Sequence, residues 1–298
     1  MALPSYATPV QRTYYYAYLF FCGVVFFFLI APLIAIIPIS FSVSPFMVFT
    51  DEMLTWPPDP DAWSLRWYKN MIGNCSADVV SSTVPCSNKW MIGTVNSFFI
   101  GFVATFIATT LGTLAALGLS RPHMPYKGLI MAILISPMIV PLIITAAGMF
   151  FFYARINLVY SFTGIILAHV ALATPFVVIT VTATLVGFDM NMVKASQSLG
   201  ARPVRTFFKV IMPLILPGVI SGALFAFITS FDEVVIVMFM ASLDQLTIPK
   251  QMWAGIRQEI SPVILCMATC LVILSILLLT TVELLRGRSE KLRGIKSR

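Results

Sequence analysis

A chain of 298 residues that is 59% hydrophobic and only 10% charged, with a mean hydropathy of +0.93, is no water-soluble globule. Soluble domains carry about 25% charged residues. The net charge of +7 does not call for nucleic acid, because six basic residues fall between Arg286 and Arg298, a tail suited to anionic lipid headgroups.

Apolar runs long enough to cross a hydrocarbon core of roughly 30 Å recur at about 14–41, 93–119, 128–152, 162–186, 210–237 and 262–285. The sequence thus predicts an all-α integral membrane protein with six transmembrane helices. Its expected parts are an N-terminal segment 1–13, a first span with a long external loop 14–92, a core transmembrane domain 93–285 and a basic tail 286–298. The first run is too long for a cleaved signal, whose apolar region covers about 7–15 residues. With both termini in the cytoplasm, thirteen of the nineteen Lys and Arg residues lie inside and six outside. The positive-inside rule favours that orientation.

The first span would be ~42 Å long at ~1.5 Å per residue, and Pro32 and Pro38 are expected to bend it. The loop of about fifty residues behind it carries Pro57, Pro58, Pro60 and the acids Asp51, Glu52, Asp59 and Asp61. Its Trp63, Trp67 and Tyr68 are expected at the membrane interface. A loop of this length points to function, capping a pore mouth or touching an external partner. Of five cysteines, Cys22, Cys266 and Cys270 read as apolar packing residues, whereas Cys75 and Cys86 share the external loop and are expected to form a disulfide in an oxidising compartment. No His or Cys spacing suits a metal, since His123 and His169 are the only histidines.

In the second span Ala108, Gly112 and Ala116 recur at four-residue steps, a small-residue face for close helix packing. Pro137 and Pro141 are expected to interrupt the third span, and Pro175 the fourth, freeing carbonyls that must line a cavity or find neighbours. Phe150, Phe151, Phe152 and Tyr153 read as an interface anchor, or as cation–π partners for a cationic solute. His169, on an apolar face, reads first as a packing histidine.

A polar, basic stretch separates the fourth and fifth spans. Asp189 suits a helix N-cap, Met192, Ala195, Ser196 and Leu199 form a weakly apolar face, and Gly200 suits the C′ position with Pro203 beyond. This predicts a surface helix of about three turns near 190–201. Such a helix either docks on a partner or only lies on the membrane.

Asp232 and Glu233 interrupt the fifth span. An acid at mid-bilayer costs about 2.5–3.5 kcal/mol on insertion scales, so it faces protein or water and tends to be functional. In a pathway the pair would attract an ammonium group. The alternatives are the outer end of a tilted helix or a helix–helix hydrogen bond. Lys250 and Arg257, in the last external segment, fit either a binding-protein contact or a solvated loop.

The surface-helix segment resembles the "EAA" loop of ABC importer permeases. Lys194, Ala195 and Ser196 occupy the triplet, Gly200 the following glycine and Pro213 the later proline. NSFFIGFVATFIATTLGTLAALGLSR from Asn96, HVALATPFVV from His169, SFDEVVIVMFMA from Ser230 and TIPKQMW from Thr247 are similar to spermidine/putrescine-type permeases. The resemblance covers roughly residues 64–285. It implies the type I ABC importer permease fold in a bacterial inner membrane, with Met192, Lys194, Ala195, Ser196, Leu199, Gly200 and Ala201 coupling the chain to an ATPase. It also implies a second permease subunit, two ATPase subunits and a periplasmic solute-binding protein as partners. Lys194 departs from the family's usual Glu by a full charge reversal.

No G-x-x-x-x-G-K-[ST] occurs, so the resemblance leaves this chain without catalytic residues, metal or cofactor, and places ATP and Mg on partner subunits. The implied solute is a polyamine, with an opine or amino-acid-like compound as the alternative. A secondary transporter would need internal repeats and intramembrane charges in several spans; here they concentrate in one. An intramembrane enzyme would need a nucleophile paired with a base, and His169 has no such partner motif.

Overall fold

The structure, a computed structural model, describes residues 8–57, 59–73, 88–121, 123–189, 191–258 and 261–292. Cys75 and Cys86, and with them the expected disulfide, lie outside the described residues. The described residues are mostly helical, and packing groups the chain into two units.

One unit comprises Met1–Asn88 and Gly255–Arg298. Its first helix, α1 (Pro9–Ser40), begins five residues before the expected 14. Thr8 and Gln11 close a capping box there: Gln11 N–H donates to Thr8 Oγ1, and Thr8 N–H to Gln11 Oε1. The helix continues through Pro32 and Pro38 and turns Phe20, Phe26, Phe27 and Phe28 outward, the pattern of a helix solvated by lipid.

The loop beyond α1 is not featureless. It holds α2 (Asp51–Leu54), a 3₁₀ turn at Pro60–Ala62 and α3 (Arg66–Met71). Trp67, expected at the membrane interface, is instead fully buried, and its Nε1–H donates to Ser42 O at 2.9 Å. The physical reason is that the indole's donor is satisfied inside the protein, where its ring buries the most area. Tyr68 Oη shares a 2.7 Å hydrogen bond with Ser40 Oγ. Arg66 stacks over the Trp67 ring, 4.4 Å from its centroid, and donates to Val43 O. The last helix, α13 (Val263–Leu292), packs on α1 and α3, and Cys266 Sγ lies 3.3 Å from Ser40 O.

The other unit is Lys89–Ala254. Its elements are α4 (Lys89–Leu119), α5 (Lys127–Ile139), α6 (Leu142–Arg155), α7 (Phe162–Val186), α8 (Asn191–Ser198), α9 (Pro203–Thr206), a π-helical turn at Phe207–Ile211, α10 (Met212–Phe231), α11 (Val235–Met240) and the start of α12 (Ile248–Gln258). The centre is the packing of α4, α7 and α10. Small residues let their backbones meet. Ala104, Ala108 and Ala116 of α4 are fully buried, and a Cβ on Gly112 would come within 2.7 Å of Val177.

The proline expectations divide. The third span does break, with α5 and α6 meeting at a 102° bend, but at Pro141 only: Pro137 lies inside the continuous α5. Pro141 offers no N–H and holds Val140 in extended geometry, φ −70° and ψ 135°. Pro175, by contrast, does not interrupt α7, which continues from Phe162 to Val186. It is buried in the central packing, and neighbouring helices hold the local geometry. Where the sequence suggested six spans, four described helices are long and apolar enough to cross a membrane, or five if the bent pair counts as one. The described apolar part of α13, Val263–Leu277, is shorter.

Candidate functional site

Two features stand at opposite ends of the α7–α10 pair: the surface helix α8 and the acidic break after α10. The helix forms, although its eight residues make about two turns rather than the expected three. Asp189 Oδ1 accepts the Asn191 N–H at 2.9 Å and anchors the start. At the other end Gly200 has φ +80°, its N–H donates to Gln197 O at 2.9 Å, and Ala201 N–H donates to Ser196 O at 3.1 Å. Those two bonds with a left-handed C′ residue make a Schellman motif.

The expected apolar face of α8 splits in two. Met192 and Leu199 are 47% and 89% exposed, and Lys194 and Ala195 are exposed with them. Ser196 turns inward, its Oγ 2.8 Å from Thr206 Oγ1, because a hydroxyl can bond the first turn of the returning helix whereas Leu199 cannot. Behind α8 lies a cavity of about 570 Å³, bounded by Leu117 of α4, Leu185 of α7, Val193 and Gln197 of α8, and Phe207 and Ile211 of the π turn. The helix thus sits beside a half-open cleft, with Met192 and Leu199 exposed on its outer surface next to Lys194.

At the far end, α10 stops at Phe231 and α11 starts at Val235, so the expected span 210–237 is broken at the acids themselves. Asp232 is exposed, whereas Glu233 is only 7% exposed. The Glu233 carboxylate accepts the Ile236 N–H at 2.8 Å and so caps α11. Lys250 caps the opposite end, its ammonium donating to Ala241 O at 3.0 Å and lying 3.4 Å from Val237 O. Burial lowers the Lys250 pKa from the usual lysine value. The solvated-loop reading does not describe Lys250: a six-residue helix with both ends inside the protein needs its orphan groups satisfied. Phe150 and Phe151 have edge contacts with each other, while half-buried Tyr153 packs on the core.

Further contacts stabilise this region. Asn96 Nδ2 donates to Asp244 O and Leu246 O, each at 2.9 Å, and Ile248 N–H donates to Ser97 Oγ at 2.8 Å. Phe98 and Phe102 of α4 pack in tilted ring contacts on Phe227 and Phe231 of α10, with centroids 5.1–6.5 Å apart, beside the break. Along α10, Gly218, Gly222, Ala226 and Ser230 form a buried four-residue stripe facing α7. His169 of α7 is 1% exposed, and its Nδ1 and Ser230 Oγ share a hydrogen bond at 2.8 Å.

Residues 108–291 match the family described as "Binding-protein-dependent transport system inner membrane component". The chain belongs to that family. It is thus the membrane component of a transport system and spans the bilayer several times. This inner membrane component is 28% identical over 270 residues to the spermidine/putrescine transport system permease protein PotC of Haemophilus influenzae, covering 91% of this chain and 96% of that one. It is also 28% identical to the putrescine transport system permease protein PotI of Escherichia coli, over 252 residues, covering 82% and 81%. Among solved structures, a bacterial ABC transporter involved in the import of the acidic polysaccharide alginate superposes with a TM-score of 0.68 at 14% identity, covering 96% of this chain and 99% of that one. That likeness bears on fold alone.

Proposed function

We propose that this chain is a permease subunit of an ATP-driven importer of polyamines such as putrescine or spermidine. The observation that carries the reading is α8, a short helix closed by a left-handed glycine that presents Met192 and Leu199 outward beside a half-open cleft. It occurs in a chain similar over 91% of its length to a spermidine/putrescine permease. In this reading six spans place both termini in the cytoplasm of a bacterium, and α8 docks in a groove of an ATPase subunit. A second permease subunit, two ATPase subunits carrying ATP and Mg, and a periplasmic solute-binding protein complete the system.

The cycle is alternating access. ATP-driven closure of the ATPase pair displaces α8, and the two states differ in the contacts they make there. Asp232, exposed at the end of α10, offers a carboxylate to a passing ammonium group, and the phenyl rings beside it offer faces to the same charge. Glu233 serves the backbone instead. The test is uptake of labelled putrescine and spermidine into proteoliposomes holding the assembled system and its binding protein, with an opine and a neutral amino acid as competitors. Uptake blocked by excess polyamine supports the reading. Uptake blocked only by the amino-acid-like compounds would replace the substrate and leave the permease role.

A further inference from the structure

The α7–α10 pair runs antiparallel from the joint under α8 to the acidic break, and its two ends are built differently. At the α8 end the backbones touch: a Cβ on Gly218 would collide with Thr184 Oγ1, and one on Gly222 would come within 3.1 Å of Val177 Cα. Interfaces packed this closely do not slide continuously. Past Gly222 the stripe continues through Ala226 to Ser230, where His169 supplies the only side-chain hydrogen bond between α7 and α10 among the described residues. That bond sits roughly 25 Å from the α8 end of α7, at ~1.5 Å per residue. One residue beyond Ser230, α10 ends, and Asp232 and Glu233 follow.

Compliance lies just outside that contact, in the joint between α8 and α10. The joint has a half-open cleft of about 570 Å³ and the π-helical turn Phe207–Ile211, a local irregularity of a kind frequent at functional sites. A push on α8 is therefore taken up at the joint and passed on by whatever holds α7 and α10 together. Apolar contact along Ala226 resists separation but has no direction. The hydrogen bond has direction, and both groups sit where leaving either unpaired is costly. His169 Nε2 has no hydrogen-bond partner among the described residues, so Ser230 alone orients the ring through a polar contact.

We propose that His169 is a positioning residue: by holding Ser230 it latches the far end of the α7–α10 seam, so that the break carrying Asp232 moves with α7 when α8 is displaced. This rests on the coupling and pathway readings above, and the experiment separates their failure from its own.

The complete transporter in proteoliposomes, with binding protein, is assayed for spermidine uptake and ATP hydrolysis together. His169→Phe keeps an aromatic ring, though a larger one, and loses the hydrogen bond, Ser230→Ala loses it from the other side without adding volume, and His169→Asn retains a polar group near the Nδ1 position. The latch predicts that His169→Phe and Ser230→Ala each lower uptake per ATP by about tenfold, within the usual range for coupling between two sites. Binding-protein-stimulated hydrolysis is retained, and His169→Asn recovers most of the ratio. An unchanged ratio in both His169→Phe and Ser230→Ala overturns the latch. So does a parallel loss of uptake and hydrolysis that His169→Asn fails to rescue, since that marks damage to the fold. Asp232→Asn and Gly200→Val run alongside: parental uptake in the first overturns the pathway reading, and in the second the coupling reading, with the His169 result unaffected.

Discussion

At Gly200 a single dihedral decides whether α8 ends where it does. Its φ of +80° costs a β-branched residue about 1–3 kcal/mol of backbone strain. Gly200→Val is therefore expected to leave insertion and abundance in the membrane intact while uptake falls, checked by immunoblot and transport on the same vesicles. Asp232 and Glu233 call for opposite experiments although they are neighbours. Asp232→Asn removes an exposed charge and should lower polyamine uptake sharply without changing the melting temperature in detergent. Glu233→Ala removes the acceptor for the Ile236 N–H and should destabilise the protein by about 0.5–2 kcal/mol, the range for a lost capping bond at a helix start. Glu233→Gln keeps an acceptor oxygen and should behave nearly as the parent. The residue pattern made the acidic pair stand out, because charge inside an apolar run is conspicuous. It could not say which acid served the backbone, since that depends on where α10 stops, and α10 stops three residues short of α11 for tertiary reasons.

Among elements, the ones that follow from local chemistry were legible and those set by packing were not. Asp189, Gly200 and Pro203 punctuate α8 in the sequence; Gly200 closes the helix as expected, and Asp189 accepts the N–H of its first residue. Pro141 and Pro175 look alike as letters, yet one breaks a helix at 102° and the other sits within a continuous one. Only neighbours settle that difference, because a proline's missing bond can be tolerated in a well-packed bundle. The four-residue stripe Ala108, Gly112, Ala116 was readable as packing, and Gly218, Gly222, Ala226 and Ser230 repeat the same spacing on α10, where the sequence displays it equally. Gly222→Leu tests the second stripe. Forcing a side chain against Thr180 and Val177 should cost about 1–3 kcal/mol or more by overpacking. The expected outcome is a lower thermal midpoint in detergent and lower yield of assembled complex.

For the whole molecule, the partition of basic residues gives a topology that can be checked directly. A cysteine placed after Arg298, in a background without other reactive thiols, should resist a membrane-impermeant label in intact cells and react once the membrane is opened. Labelling from outside would invert the proposed orientation and with it the side on which α8 meets its ATPase. The central claim is narrower and more demanding: that displacement of α8 drives a polyamine through this chain. Its most direct measurement is ATP-dependent spermidine uptake by the reconstituted transporter with its binding protein, in parental and Gly200→Val forms that assemble equally. The account predicts ATP-dependent uptake in the parent and its loss in the variant, with the ATPase subunits still attached. Equal uptake by the two forms, or uptake by the parent that persists without ATPase subunits, would contradict it.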